Sequence, residues 1–400
     1  MEADTAVRQP AGTYLPSSGS SDTDPFSLIE QIGSRPPFWF EDGADAGGGY
    51  WVVTRFQDAR EVQQDPATFS AIDAAVPWVV LDQPLLPSFA DPPTVQRYRK
   101  ILIPRMSPTV IEPLRPHMER TCEAILDRFA AAGHCDVVAE FAQVFPLAIF
   151  LELFGMPEDG RPEFIFWTHK WHHDRKEQPA AWARIREIVA RHLQAKLSDP
   201  GGDLLTAIAT ATTGDDPISM DDAVNLASTV FLGGLDTVPS LITWSLRHLA
   251  LQPELRAALL ADPALAERAV EEFLRMYSIT DPRRRVTKNT DFHGAAMRAG
   301  DRVVVSTACA DRDPDAFADA GRARLDRPVN PHMAFGLAAH RCLGIHLARP
   351  ELATALTKWH ERIPDYAIAP GARLSFKAGV LSIESLPLVW AVPQTSADRG

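Results

Sequence analysis

From Asp91 onward the sequence keeps a helical period for most of its length. Apolar residues recur at three- and four-residue spacing through 109–132, 137–154, 180–197, 219–249 and 263–277. Strand signals are confined to short stretches. G-Y-W-V-V-T-R at 49–55 is aromatic and β-branched, 303–306 is a second candidate, and L-S-I-E-S-L-P-L-V-W at 381–390 alternates like a closing hairpin. F-Q-D-A-R-E-V-Q-Q-D-P reads as a short helix ended by Pro66, whereas 71–93 is Pro-rich and irregular and 322–334 is loop-like. These patterns predict a mainly α chain with small β-sheets. A chain of 400 residues that is 46% hydrophobic can bury one large core. No repeat or linker interrupts it after about residue 25. Residues 1–25, rich in Ser, Gly, Asp and Pro, are expected to form a disordered arm, and 26–400 a single domain.

Several function classes are disfavoured at once. A net charge of −12 suits a nucleic-acid binder poorly, because phosphate contacts need clustered Lys and Arg. The opening M-E-A-D-T lacks the basic start of a signal peptide. No apolar run reads as a bilayer span, which takes roughly 20 residues. A cytoplasmic, membrane-free, monomeric protein is the expectation. Cys122, Cys135, Cys309 and Cys342 show no C-x-x-C spacing, so neither a zinc site nor a disulfide framework is indicated.

Three segments carry chemistry. In F-G-L-A-A-H-R-C-L-G-I-H-L-A-R, 335–349, a glycine-bearing loop delivers Cys342 directly before a helix expected to run from Leu343 to about Trp359. Unpaired N–H groups at a helix start favour a thiolate, the form that ligates metal. In E-F-L-R, Glu272 and Arg275 share a helix face and can pair. In V-F-L-G-G-L-D-T-V-P-S, 230–240, Gly233 and Gly234 each weaken a helix interior, and Pro239 offers no N–H to the Leu235 carbonyl. A widened or kinked helix at 235–237 follows, in a stretch that Ser219 and Asp222 can cap at its start.

The first segment resembles the haem-binding loop of the cytochromes P-450, with Phe335, Gly336, His340, Cys342, Leu343 and Gly344 matching; Ala338 stands where that family usually has Gly or Asp. The resemblance runs from about residue 30 to 395. Within the family, G-G-L-D-T, D-F-H-G at 291–294, R-I-P-D-Y at 362–366 and L-P-L-V-W at 386–390 are most similar to bacterial camphor-type hydroxylases. It implies a haem b held between the distorted helix, 219–249, and the Cys loop and helix, 335–359. Cys342 would be the iron's ligand. Glu272, Arg275 and Arg327 would form a structural triad that holds the Cys loop. Arg99 in D-P-P-T-V-Q-R-Y-R, Arg284 and His340 would bind the haem propionates, and Phe335 would lie against the macrocycle. Asp236 and Thr237 would be the acid–alcohol pair at the dioxygen pocket, Asp236 gating proton delivery and Thr237 orienting hydrogen bonds.

By the same resemblance Thr229, Leu232, Gly233, Ile279, Thr280, Val380 and Leu381 would line the substrate pocket. Part of 76–89 would roof it, with Trp78 and Phe89 as aromatic walls. Aliphatic walls, no cation to neutralise a carboxylate and little room for a lid between 174 and 180 point to a compact apolar substrate, a terpenoid or norisoprenoid. The chain has no G-x-G-x-x-G after a strand, so its electrons would come from an iron–sulfur ferredoxin with its reductase, docking near Arg99 and Arg341. The expected reaction inserts one atom of O2 into a C–H bond. A peroxygenase or isomerase, a haem-based sensor and a cofactor-free helical scaffold are the competing readings. The acid–alcohol pair argues against the first, the lack of room for an output domain against the sensor, and the Gly-Gly-Pro defects against the scaffold.

Overall fold

The computed structural model describes residues 14, 20–41, 49–72, 74, 85–213 and 216–392. Its largest helices are Gln178–Ser198, Ile345–Arg362, and the consecutive pair Met220–Leu235 and Thr237–Leu251. Ser219 caps the pair: its hydroxyl accepts the amide of Asp222, as the sequence predicts. At Asp236 the backbone leaves the helical region, with φ −120° and ψ −21°. The interruption falls where Gly233, Gly234 and Pro239 weaken the ladder. This pair is long and apolar enough to cross a membrane, contrary to the sequence expectation, but its most apolar window is 67% buried inside the fold. Its apolar character serves the core.

A five-stranded sheet orders Phe38–Phe40, Tyr50–Val53, Arg302–Val305, Arg283–Val286 and Phe69–Ser70. Val303 pairs Trp51 in parallel, and the other contacts are antiparallel. The strand expected at 303–306 therefore joins the one expected at 49–55. The sheet's role for the site is to carry Arg284, opposite Val303, to the edge of the central cavity.

Three expectations need correction, and one helix falls outside them. Part of the segment expected as an arm is ordered: Ser20–Ser21 pair with Phe376–Lys377, and buried Tyr14 donates to Asp281 at 2.6 Å. The tail is no hairpin. Ser382–Ile383 joins Phe376–Lys377, while Pro387–Val389 lies between Ala367–Ile368 and His134–Asp136 in another sheet. Asp136 redirects the chain by accepting from Ser385 Oγ at 2.7 Å and from the Leu386 amide at 3.1 Å. The periodic stretch 109–132 is broken into Pro108–Ile111, a tight turn at Glu112–Leu114, and Arg115–Leu126; Pro113 and Pro116 lack the N–H groups that one helix would need. Finally, Arg161–His173 is helical although no clear apolar face marks it, because aromatic residues fall on its buried side (Phe164, Trp171) and on its exposed one (Phe166).

Candidate active site

The Cys loop is closed by backbone bonds. The Cys342 amide donates to Phe335 O at 2.7 Å, and Gly336 N donates to Met333 O at 2.7 Å. Gln63, on Phe56–Gln64, accepts the Leu337 amide at 3.0 Å. Ala338 has φ +53°. That left-handed conformation costs an L-residue roughly 1–2 kcal/mol and explains why Gly or Asp would sit there at less cost. The helix begins at Ile345, two residues later than expected, because Gly344 takes the cap position. The N–H groups of Gly344 and Ile345 bond the Cys342 sulfur. Burial pushes the free thiol up, and those N–H groups with the Arg99 and Arg349 guanidiniums oppose it. Among the four cysteines only Cys342 is exposed, and its exposure is to the central cavity.

That cavity measures about 560 Å³. One wall is the Cys loop with Phe335, Gly336, His340 and Cys342; the opposite wall is Thr229, Val230, Gly233, Gly234 and Thr237. Gly234 permits the close packing behind that wall: a Cβ there would lie 2.3 Å from the Phe150 ring. Arg99 and Arg284 reach the same space. Two buried polar atoms here, Arg284 Nη2 and His340 Nε2, have no protein partner. Burial and the neighbouring Arg284 press the His340 imidazole down to about 4, and burial lowers Arg284 to about 10. Unpaired buried donors of this kind call for an anionic ligand. A flat, dicarboxylated, metal-bearing macrocycle held by the Cys342 sulfur would fit the donor set. No cluster of three or more metal-ligating side chains exists among the described residues, so the thiolate would act as a single protein ligand.

On the opposite wall the Thr237 hydroxyl donates to Gly233 O at 3.1 Å, across the weakened ladder. Asp236 is turned away from the main cavity. Its Oδ2 lies 2.9 Å from His173 Nε2. Burial pushes the Asp236 carboxyl up, but the His173 bond and the imidazoles of His172, His173 and His169 bring it below the ordinary carboxylate value. His173 was not singled out from the sequence. Its only signal is the run T-H-K-W-H-H-D at 168–174, which is meaningless until the helix is placed against Asp236.

Glu272 and Arg275 are fully buried. Arg275 donates to both Glu272 oxygens at 3.0 and 2.7 Å, and Arg327 does so at 3.0 and 3.1 Å. Asn330 and the Arg324 amide add bonds at 3.1 and 2.9 Å. Every partner beyond Arg275 comes from the loop leading to Cys342. A second clamp was missed: Glu271 accepts from Arg349 on the Cys helix at 2.6 and 2.7 Å and meets His332 at 3.1 Å. Burial opposes its charge, yet these partners take Glu271 down to about 2. Also missed was Glu351, a cavity-lining carboxyl with an unpartnered oxygen, which burial raises well above the usual range.

Phe89, Thr229, Gly233, Ile279, Thr280 and Val380 line the cavity. Leu232 and Leu381 do not. Leu232 is packed in the core, a helical step off the face shared by Thr229 and Gly233, and its carbonyl meets His172 Nε2 at 3.3 Å. Leu381 is turned away by bonds from its amide to Ile279 O and from Trp244 Nε1 to its own carbonyl, at 3.0 and 2.9 Å. Trp78 and most of the expected roof lie outside the described residues. The cavity is also less uniformly aliphatic than expected: Arg175, Gln178, Asp281 and Arg283 line one side, with Asp281 placed to balance Arg283.

The family model for cytochrome P450 matches residues 162–360. The mycinamicin IV hydroxylase/epoxidase of Micromonospora griseorubida is 30% identical over 394 residues, spanning 92% of this chain and 93% of that one. The nocardicin C N-oxygenase of Nocardia uniformis subsp. tsuyamanensis is 31% identical, spanning 86% and 90%. Among solved structures, that of CYP101J2 superposes with a TM-score of 0.85 at 27% identity, covering 95% of this chain and 97% of that one. With its thiol-bearing loop, its broken helix across the cavity and these relatives, the chain belongs to the cytochrome P450 family and is a haem-dependent monooxygenase.

Proposed function

We propose that this monooxygenase hydroxylates a compact, largely apolar molecule of terpenoid or norisoprenoid type, using electrons from an iron–sulfur ferredoxin. The observation that carries this reading is the cavity face opposite Cys342, where Phe89, Val230, Ile279 and Val380 supply apolar surface beside the Thr229 and Thr280 hydroxyls. Such a face suits a hydrocarbon skeleton with one neutral polar group. Haem, when bound, would supply dioxygen activation, with the Cys342 thiolate as the ligand that holds its iron. In this reading the Cys342 sulfur holds the iron, Arg99, Arg284 and His340 hold the propionates, and Thr237 and Asp236 handle protons on the other side. The acid–alcohol pair at the helix break favours oxygen activation over peroxide use or isomerisation. The connection between Arg161–His173 and Gln178–Ser198 is short, which leaves no long lid for an extended substrate.

A spin-state titration of the haem-loaded protein with camphor, β-ionone, lauric acid and benzoate tests the substrate class. The neutral terpenoids are expected to saturate at the lowest concentration. Arg283 already faces Asp281, and an unpaired carboxylate buried against the apolar face would cost several kcal/mol or more. Apolar contact returns only about 25 cal/mol per Å². Tighter binding of laurate or benzoate would instead make the Arg175 side an acid-binding end, and the terpenoid reading would be abandoned.

Docking of an acidic ferredoxin makes a separate prediction. Arg341 is exposed beside Cys342, at the mouth of the cavity. Arg341→Glu is expected to slow electron transfer from the ferredoxin, and the wild-type rate is expected to fall with added salt, because steering by opposite charge is screened over ~8–10 Å. Stopped-flow reduction rates that respond to neither change would place the docking site elsewhere.

A further inference from the structure

The contact between Asp236 and His173 has an unusual proton count. His173 Nδ1 lies 3.0 Å from the carbonyl oxygen of Ala378. A carbonyl only accepts, so Nδ1 carries a hydrogen. On the other side, Nε2 lies 2.9 Å from Asp236 Oδ2. That contact needs a hydrogen of its own. Either Nε2 carries it, giving an imidazolium against a carboxylate, or Oδ2 carries it, giving a carboxylic acid against a neutral imidazole. In both forms the pair holds one transferable proton, and it holds it beside Thr237.

The groups around the pair leave that proton where it is. His169, on the same helix, has its Nε2 lone pair taken by Lys377 Nζ, and burial with the nearby ammonium holds this imidazole down to about 4. Lys377, on Phe376–Lys377, is paired with Glu384 at 3.0 Å. His172 faces the Leu232 carbonyl at 3.3 Å, and burial lowers it too. None of these neighbours is a ready base for the shared proton.

A second cavity opens on the side of the pair away from the main one. It measures about 30 Å³ and is bounded by Gln143, His169, His173, Asp236, Lys377 and Glu384. Its volume and polar walls suit about two waters. The Glu384 side chain is 48% exposed, so this chamber ends at a residue that reaches solvent.

We propose that the His173–Asp236 pair is the proton store of the oxygen reaction, loaded from solvent through the second cavity. The inference rests on the monooxygenase reading above. Asp236 passes a proton toward the Thr237 side, which leaves the pair as carboxylate and neutral imidazole. A proton from the small chamber then restores it, so the pair alternates between one shared proton and none.

The test uses the haem-loaded protein. In the reduced, CO-bound form, ¹⁵N-histidine NMR should show a proton on His173 Nδ1. Coupled turnover is measured with the panel compound that gives the largest spin shift. His173→Gln can still donate an N–H to Asp236 but cannot store a proton. It is expected to lower coupled turnover on the order of 10²-fold and to raise the D2O effect. Substrate spin-shift affinity and the CO spectrum should stay at wild-type values, which a merely structural role would not predict. Wild-type turnover and D2O effect in His173→Gln, with Asp236→Asn impaired, would overturn the store while leaving the monooxygenase reading intact. So would an unprotonated Nδ1. If Asp236→Asn and Thr237→Ala both couple electrons to product normally, the reading of the oxygen side fails and the store fails with it.

Discussion

Cys342→Ser is expected to abolish the strongly red-shifted absorption band of the reduced, CO-treated protein. That band reports a thiolate bound to the haem iron, and a serine hydroxyl is too weakly acidic to take the thiolate's place. The surrounding loop does not depend on the sulfur for its shape. It is closed by the Cys342 amide to Phe335 O, by Gly336 N to Met333 O and by Gln63 to the Leu337 amide. The serine variant should therefore fold, and its far-UV circular dichroism should match wild type. The N–H groups of Gly344 and Ile345 now bond the sulfur and would meet an oxygen instead. Retention of the red-shifted band would remove Cys342 as the ligand, and the buried cysteines Cys122, Cys135 and Cys309 offer no substitute facing the cavity.

Glu272→Gln is expected to be the most destabilising of the conservative substitutions. The carboxylate is fully buried and neutralises two guanidiniums, Arg275 and Arg327. A glutamine keeps the shape but leaves both cations without a counter-charge, at a cost of about 3–5 kcal/mol. That is a large share of a folding stability of about 5–15 kcal/mol. Arg327 and Asn330 lie in the loop that ends at Cys342, so haem retention should suffer along with the melting temperature. The pH dependence has a definite sign. Burial alone would raise the Glu272 carboxyl, but its arginine partners hold it below the ordinary value. Its contribution is thus complete above the ordinary carboxylate range and is lost as pH falls through the folded value. Wild type should release haem on acidification, whereas the variant should start low and change less. A variant that melted within 1 °C of wild type, about the scatter of such measurements, would show the triad to be dispensable.

What could be read from the sequence was what local backbone chemistry controls. Ser219 caps its helix because a hydroxyl satisfies an N–H three residues on. Gly233, Gly234 and Pro239 break the helix at Asp236 through missing side chains and a missing donor, wherever that helix packs. The loop before Cys342 carries its glycine and its family pattern on its face, and E-x-x-R pairs across one helical turn.

The remainder depends on which distant segments meet, and helical period does not encode that. The period marks 109–132 as helix but is silent on Pro113 and Pro116 dividing it. It is weak in Arg161–His173, where aromatics lie on both faces, so the helix that brings His173 to Asp236 went unread. Asp136 decides that the last strand leaves its apparent hairpin for another sheet, through bonds spanning about 250 residues. Glu271 gains its two partners, Arg349 and His332, only when the Cys helix docks. Leu232 and Leu381 show the same limit at the scale of one residue: a rotation of about 100° along a helix, or a turn pinned by two backbone bonds, moves a side chain from cavity to core. Sequence alone determined the elements, their breaks and the thiol that defines the family. Tertiary packing decided which buried charges are paired and which side chains face the cavity, because a buried charge persists only where a partner, often carried in by another element, meets it.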